Sequence, residues 1–151
     1  MVDVADGVGG LTQADTEHLK LLSIFHTVMA IALALFGLFP IIHLLVGLGF
    51  LFGVEGLAPS GGEPFPEVLF GVMFTVIPLV IILVMEGLAV AVAVAGARLR
   101  ARRSWMLCVV VAGLSVMLMP PIGTVLGVFS LIVLNRPAVR QAFAETDALY
   151  A

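Results

Sequence analysis

The stretch LLSIFHTVMAIALALFGLFPIIHLLVGLGFLFG, residues 21–53, decides the fold class of this chain. Every residue in it is apolar or small, apart from Ser23, His26, Thr27 and His43. A helix of that length would be roughly 50 Å long, whereas the hydrocarbon core of a bilayer is about 30 Å thick. The stretch therefore predicts a membrane-spanning helix, with its excess length absorbed by tilt and by a kink at Pro40.

The composition of the whole chain also indicates a membrane protein. Of the 151 residues, 62% are hydrophobic and 11% are charged, and the mean hydropathy is +1.22. These values lie outside the usual range of soluble domains. The net charge is only −3, and no basic run is long enough to follow a phosphate backbone, which argues against a nucleic-acid partner.

Two further apolar regions follow a loop that is rich in glycine, proline and glutamate. The first covers residues 68–97, and the second covers residues 105–134 and contains Pro120 and Pro121 at its centre. Because adjacent prolines interrupt helical hydrogen bonding, the second region is either one broken span or two short helices joined by a turn.

The positions of the basic residues favour two short helices. With a turn at Pro120 and Pro121, one side of the membrane holds all seven basic residues, which are Lys20, Arg98, Arg100, Arg102, Arg103, Arg136 and Arg140. The glutamate-bearing loop then lies on the other side. The positive-inside rule therefore predicts four spans with both termini in the cytoplasm.

The predicted fold is thus an all-α membrane protein, a four-helix transmembrane bundle whose last two helices form a short Pro-Pro hairpin. Its predicted regions are a flexible cytoplasmic tail over residues 1–15, a four-span domain over residues 16–140 and a cytoplasmic tail over residues 141–151. Asp15 or Thr16 is expected to cap the first helix. Gly123 and Gly127 are expected on a face where the last span packs closely against another helix.

Small residues recur at intervals of four in the second half of the second span. One series is Gly87, Ala91 and Ala95, and the other is Ala89, Ala93 and Ala97. Small residues at this spacing allow another helix to approach closely in lipid. The pattern predicts a packing face on this helix.

Three ionisable residues in the apolar regions are candidate functional residues, namely Glu86, His43 and His26. Counted from the two ends of their spans, Glu86 and His43 lie about 16 Å and 15 Å deep, so the two could meet near the midplane. His26 lies near the cytoplasmic entrance, where water or headgroups could reach it. Glu86 could serve in a proton or ion pathway, although a neutral carboxyl hydrogen-bonded between helices is the favoured interpretation.

A basic cluster, RLRARR, follows the second span, and Trp105 comes directly after it. Its arginines are Arg98, Arg100, Arg102 and Arg103. An indole beside basic residues is typical of a cytoplasmic membrane interface, and such a cluster could also contact anionic lipid.

The segments DTEHLKLLSIFHTVMAIALALFGLFPIIHLLVG, residues 15–47, and PPIGTVLGVFSLIVLNRPAV, residues 120–139, resemble the opening and closing patterns of a group of small, uncharacterised bacterial integral membrane proteins. The resemblance implies a protein of the bacterial inner membrane. It implies no catalytic residue, and it does not extend to the middle of the chain, where Glu86 lies.

No spacing of residues in the sequence indicates a catalytic, cofactor or metal site, so we expect neither an enzyme nor a bound cofactor or metal. Two functions remain. The first is an accessory or structural membrane subunit that acts by helix packing, within a homo-oligomer or a larger membrane complex. The alternative is an oligomeric proton or ion channel or transporter that uses Glu86.

Overall fold

The computed structural model describes residues 10–54, 56, 66–118 and 120–150, and this part of the chain is helical, with short turns and no strand. The predicted all-α class is therefore confirmed for it. Its helices are α1 (Gln13–Gly37), α2 (Ile41–Leu51), α3 (Glu67–Ala101), α4 (Trp105–Leu118), α5 (Ile122–Leu134) and α6 (Pro137–Leu149).

Two helical segments are long and apolar enough to cross a membrane. One is Gln13–Leu51, which joins α1 and α2 over 39 residues, and the other is α3, with 35 residues. A third span is obtained if α5 and α6 are taken together, although the chain bends by 78° between them. The structure is thus compatible with a membrane-spanning protein with two or three spans of full length.

The first helix begins earlier than the sequence predicts. Thr12 accepts a hydrogen bond from the backbone N–H of Asp15 at 3.1 Å, and the Asp15 carboxylate accepts the Thr12 N–H at 3.3 Å. This reciprocal pair is a capping box in which aspartate replaces the usual glutamate. The expected cap at Asp15 or Thr16 was therefore wrong, because Thr12 caps the helix and Asp15 supports that cap from inside the first turn.

The chain divides into two compact units, of which the first comprises Met1–Ile31 and Val90–Ala151. Its core contains residues from the start of α1, the end of α3, the start of α4, the end of α5 and the first half of α6. The buried residues of this core are Leu11, Leu19, Leu22, Leu99, Cys108, Val133, Leu134, Val139, Ala142 and Phe143. Residues 1–9 of the predicted N-terminal tail lie outside the described residues, whereas Leu11 is buried.

Helix α6, Pro137–Leu149, covers most of the predicted cytoplasmic tail, residues 141–151. Pro137 occupies the first turn of α6, where its missing N–H leaves no hydrogen bond unmade. Val139, Ala142 and Phe143 are buried, and their spacing of three and four places them on one helix face. The opposite face is polar, so α6 is amphipathic.

Helices α4 and α5 pack against each other in opposite directions. The Trp105 indole donates to the Leu134 carbonyl at 2.9 Å, and the Thr124 hydroxyl donates to the Val116 carbonyl at 3.1 Å. These contacts join the start of α4 to the end of α5, and the end of α4 to the start of α5. Met119, in the connection between them, lies outside the described residues.

The second unit comprises Ala32–Ala89. Within it, residues 38–40 form a turn at the predicted position of the kink, and α2 begins directly after Pro40. Helices α2 and α3 meet at Gly47, where an added Cβ would lie 2.4 Å from the Phe74 carbonyl carbon. Pro78 supplies no N–H to the Phe74 carbonyl four residues earlier, and Gly47 lies against this carbonyl.

The buried face at the end of α3 includes only Ala95 from one predicted series of small residues and only Ala89 from the other. Val92, Ala95, Gly96 and Leu99 are buried, whereas Ala93 is exposed. Gly87 is also exposed and has no neighbour within 4 Å of an added Cβ. Residues four apart drift around a helix of 3.6 residues per turn, so a constant face requires alternating steps of three and four.

Candidate functional site

Glu86 lies on α3 in the second unit and packs against α1. An added Cβ at Gly37 would lie 2.7 Å from the Glu86 Oε1 atom, so the absence of a side chain at Gly37 makes room for this carboxyl. Oε1 is buried and has no hydrogen-bond partner in the described part of the chain. Glu86 therefore lies at a contact between helices, as the sequence predicts. At Gly37, however, its neighbour on α1 is backbone and not a polar side chain.

His43 does not serve as the partner of Glu86. Its imidazole stacks on the Phe74 ring, with a centroid distance of 6.0 Å and an interplanar angle of 27°. The centroid of the Phe39 ring lies 6.5 Å from that of the His43 ring. His43 lines an apolar groove of about 210 Å³ with Met73, Phe74, Ile77 and Pro78. The expected Glu86–His43 pair was wrong, because depth along a helix does not specify which face a side chain occupies.

Thr75, which lies on α3 with Glu86, is also unpaired. Its Oγ1 atom is buried without a hydrogen-bond partner among the described residues. The second unit thus contains two buried polar oxygens, from Thr75 and Glu86, that the described chain does not satisfy. Such groups are uncommon in native proteins, and each costs free energy unless another group or water reaches it.

His26 is fully buried in the first unit, and not at a water-accessible entrance as the sequence analysis expected. Its Nδ1 atom lies 2.8 Å from the Leu22 carbonyl, to which it donates, so Nε2 is an acceptor. Nε2 has no partner in the described residues. Gly96 explains the burial, since an added Cβ there would lie 3.0 Å from the His26 Cβ.

Ser23 reinforces the same contact between α1 and α3. Its hydroxyl donates to the Gly96 carbonyl at 2.8 Å. Thr27 donates to the Ser23 carbonyl at 2.9 Å. Ser23 therefore joins α1 to α3 through its hydroxyl, whereas Thr27 and His26 form hydrogen bonds within α1.

The arginine cluster contacts α6. The guanidinium carbon of Arg103 lies 4.1 Å from the centroid of the Tyr150 ring, and that of Arg140 lies 4.8 Å from the centroid of the Trp105 ring. Asp147 accepts the Ser104 backbone N–H at 3.0 and 3.1 Å. Arg98 donates to the Ser104 hydroxyl at 3.1 Å. Arg100 is exposed and Arg102 is partly exposed.

A charged contact that no sequence pattern indicates joins the start of α1 to the start of α6. Arg136 donates to the Asp15 carboxylate at 2.7 Å and to His18 Nδ1 at 3.2 Å. His18 in turn meets the edge of the Phe129 ring at 5.9 Å. Asp15 precedes the apolar run that begins at residue 21, so we place it outside the membrane span. The hydrogen bond from Arg136 holds the pKa of the Asp15 carboxyl below its usual value.

No group of three or more histidine, cysteine, aspartate or glutamate side chains that could hold a metal ion occurs in the residues that the structure describes. Comparisons with protein-family models, with curated proteins and with solved structures gave no match to this chain. The geometry therefore offers two sets of candidate residues. One is the unpaired carboxyl of Glu86 in the second unit, and the other is the arginine-rich surface beside α6 in the first.

Proposed function

We propose that this chain is an integral protein of the bacterial inner membrane that acts as an accessory or structural subunit through helix packing. It crosses the bilayer four times with both termini in the cytoplasm, and α4 and α5 form a short hairpin at Pro120 and Pro121. These two helices would be about 21 Å and 20 Å long, so the bilayer thins around them. The basic residues near α1, α3, α5 and α6 support this orientation.

One observation carries the proposed subunit role. Only 11% of the most apolar part of α3 is buried within the chain. A helix that packs in a bundle usually buries one whole face against its neighbours. Leu83 is 64% exposed, whereas Val92 on the same helix is fully buried. A helix with this much apolar surface has room for the helix of another copy or of a partner protein as well as for lipid.

Cysteine cross-linking of the reconstituted full chain tests this role. In a background in which Ala replaces Cys108, Leu83→Cys should give disulfide-linked dimers on mild oxidation, and the mass in mild detergent should exceed that of one chain. Val92→Cys is the matched control and should stay uncross-linked. A single-chain mass together with no dimer from Leu83→Cys, and from Val80→Cys tested likewise, would contradict self-association through α3.

A second candidate function, an oligomeric proton or ion pathway, is supported by the unpaired Glu86 Oε1 atom. A carboxyl without an internal partner can exchange a proton with water if oligomerisation or motion admits it. Glu86→Gln should abolish flux driven by a pH gradient in liposomes, whereas Glu67→Gln, at the exposed start of α3, should not. Equal flux in the parent and both variants would leave Glu86 as a packing residue only.

A further inference from the structure

The orientation of α6 relative to the bilayer follows from the proposed membrane location, on which this inference rests. The chain bends by 78° between α5 and α6. If α5 crosses the bilayer, α6 lies close to the membrane plane. Its apolar face, Val139, Ala142 and Phe143, is buried in the protein core. The outer face is polar and includes Arg140, so it would lie among the lipid headgroups.

The surface formed by α6 and the arginine cluster is rich in basic side chains. Asp15–Arg136 is the one salt bridge formed within the described residues. The remaining arginines carry no ion pair in that part of the chain. Two of them, Arg103 and Arg140, are held instead on the aromatic rings of Tyr150 and Trp105. Of the two acids of α6, Asp147 accepts the Ser104 backbone N–H and the exposed Glu145 accepts the Gln141 side-chain amide.

The arginines of this surface are suited to binding phosphate groups. A guanidinium stacked on a ring keeps its N–H edge available, and its planar fork matches two oxygens of a phosphate. Trp105 follows the arginine cluster in the sequence, Arg140 lies over its ring, and its N–H is already bonded to the Leu134 carbonyl. An indole with a fixed polar end is typical of the headgroup region.

We propose that the outer surface of α6 and the adjoining segment Arg102–Trp105 bind the phosphate headgroup of an anionic phospholipid. Arg140 and Arg102 provide the principal contacts, because Arg98 already donates to Ser104 and the Nε atom of Arg103 is buried. Arg140 lies on α6, outside the basic cluster that the sequence singles out. Only the packing of α6 against Trp105 brings it to this surface.

The single tryptophan of the chain, Trp105, reports directly on this site. The full chain is reconstituted in phosphatidylcholine vesicles that contain a small mole fraction of brominated phosphatidylglycerol or, in parallel, brominated phosphatidylcholine. In the parent protein, brominated phosphatidylglycerol should quench Trp105 more strongly than brominated phosphatidylcholine does. Arg140→Gln and Arg102→Gln should each reduce the affinity for phosphatidylglycerol, relative to phosphatidylcholine, about fivefold. The ratio of the two lipids cancels any change in the intrinsic emission of Trp105 that Arg140→Gln causes.

Lys20→Gln is the control, since it removes the same charge from α1 and should leave the lipid preference unchanged. Equal quenching by the two lipids in the parent, or a preference that survives both arginine substitutions, would overturn the proposal. Loss of the preference on adding millimolar inorganic phosphate would assign the site to a soluble phosphate and also overturn it. Absence of quenching by either lipid would instead contradict the proposed membrane location.

Discussion

At the scale of single residues, Asp15 combines two roles through its two carboxylate oxygens. One oxygen accepts hydrogen bonds from the Thr12 N–H and hydroxyl, and the other accepts the hydrogen bond from Arg136. The same side chain therefore caps α1 and ties it to the start of α6, 121 residues later. Asparagine would keep an oxygen for the cap and lose the negative charge, so the two roles can be separated.

We expect Asp15→Asn to reduce the pH dependence of stability. Because the pKa of Asp15 is lowered in the folded chain, its contribution is complete above the unfolded value of about 3.9 and is lost as the pH falls through the folded pKa. The free energy of unfolding should fall by about 1 kcal/mol or less, because Arg136 is 38% exposed and water weakens the ion pair. Melting temperatures in detergent between pH 2 and pH 6 measure it. Glu17→Gln is the control, and an Asp15→Asn profile parallel to that of the parent would refute the expectation.

At the scale of helices, glycine decides how closely α4 and α5 approach. An added Cβ at Gly127 would lie 2.4 Å from the Ala112 carbonyl oxygen and 2.6 Å from the Val116 Cγ2 atom. The first of these neighbours is backbone, which cannot rotate away. Gly113 on α4 has no neighbour within 4 Å of an added Cβ. The two glycines thus differ in environment and provide a matched pair.

Gly127→Leu should destabilise the protein by about 1–3 kcal/mol, because the larger side chain forces α4 and α5 apart. Gly113→Leu should be tolerated, since its space is open. Thermal unfolding of the two variants in the same detergent compares them. If Gly127→Leu unfolds at the temperature of the parent, α5 does not pack on α4 through this face.

The packing of α6 depends mainly on Phe143, which is fully buried in the first-unit core. Phe143→Ala should lower the free energy of unfolding by about 3–5 kcal/mol and expose α6 to protease. Leu149→Ala, at a position that is 83% exposed on the same helix, should change neither property. Limited proteolysis with mass spectrometry would detect cleavage within α6. Similar resistance in Phe143→Ala and the parent would show that α6 is held by its polar contacts alone.

At the scale of the whole molecule, the contacts of the first unit join the two ends of the region 105–134. Trp105 bonds to Leu134, and Ser104 bonds to Asp147. A single straight span over this region would separate these residues by the thickness of the membrane. The contacts therefore favour two crossings, or a re-entrant hairpin, over one.

Labelling with a membrane-impermeant thiol reagent in whole cells tests this topology, with Ala in place of Cys108. Ser60→Cys, in the loop outside the described residues, should be labelled, because the positive-inside rule leaves that loop outside the cytoplasm. Arg100→Cys and Arg140→Cys should be protected together until the cells are permeabilised. Labelling of Arg140→Cys but not Arg100→Cys in intact cells would mean that residues 105–134 cross the membrane once.

The sequence by itself determined the helical class and the apolar spans, because a backbone in lipid must satisfy its hydrogen bonds within each segment and long apolar runs leave few alternatives. It also indicated the break at Pro40 and the close approach at Gly127. Only the tertiary structure decided that Thr12 caps α1, that Phe143 makes α6 part of the core, that His43 stacks on Phe74 and that Glu86 faces Gly37. These pairings join residues on different faces and elements, and helical periodicity does not specify the rotation of one helix against the next.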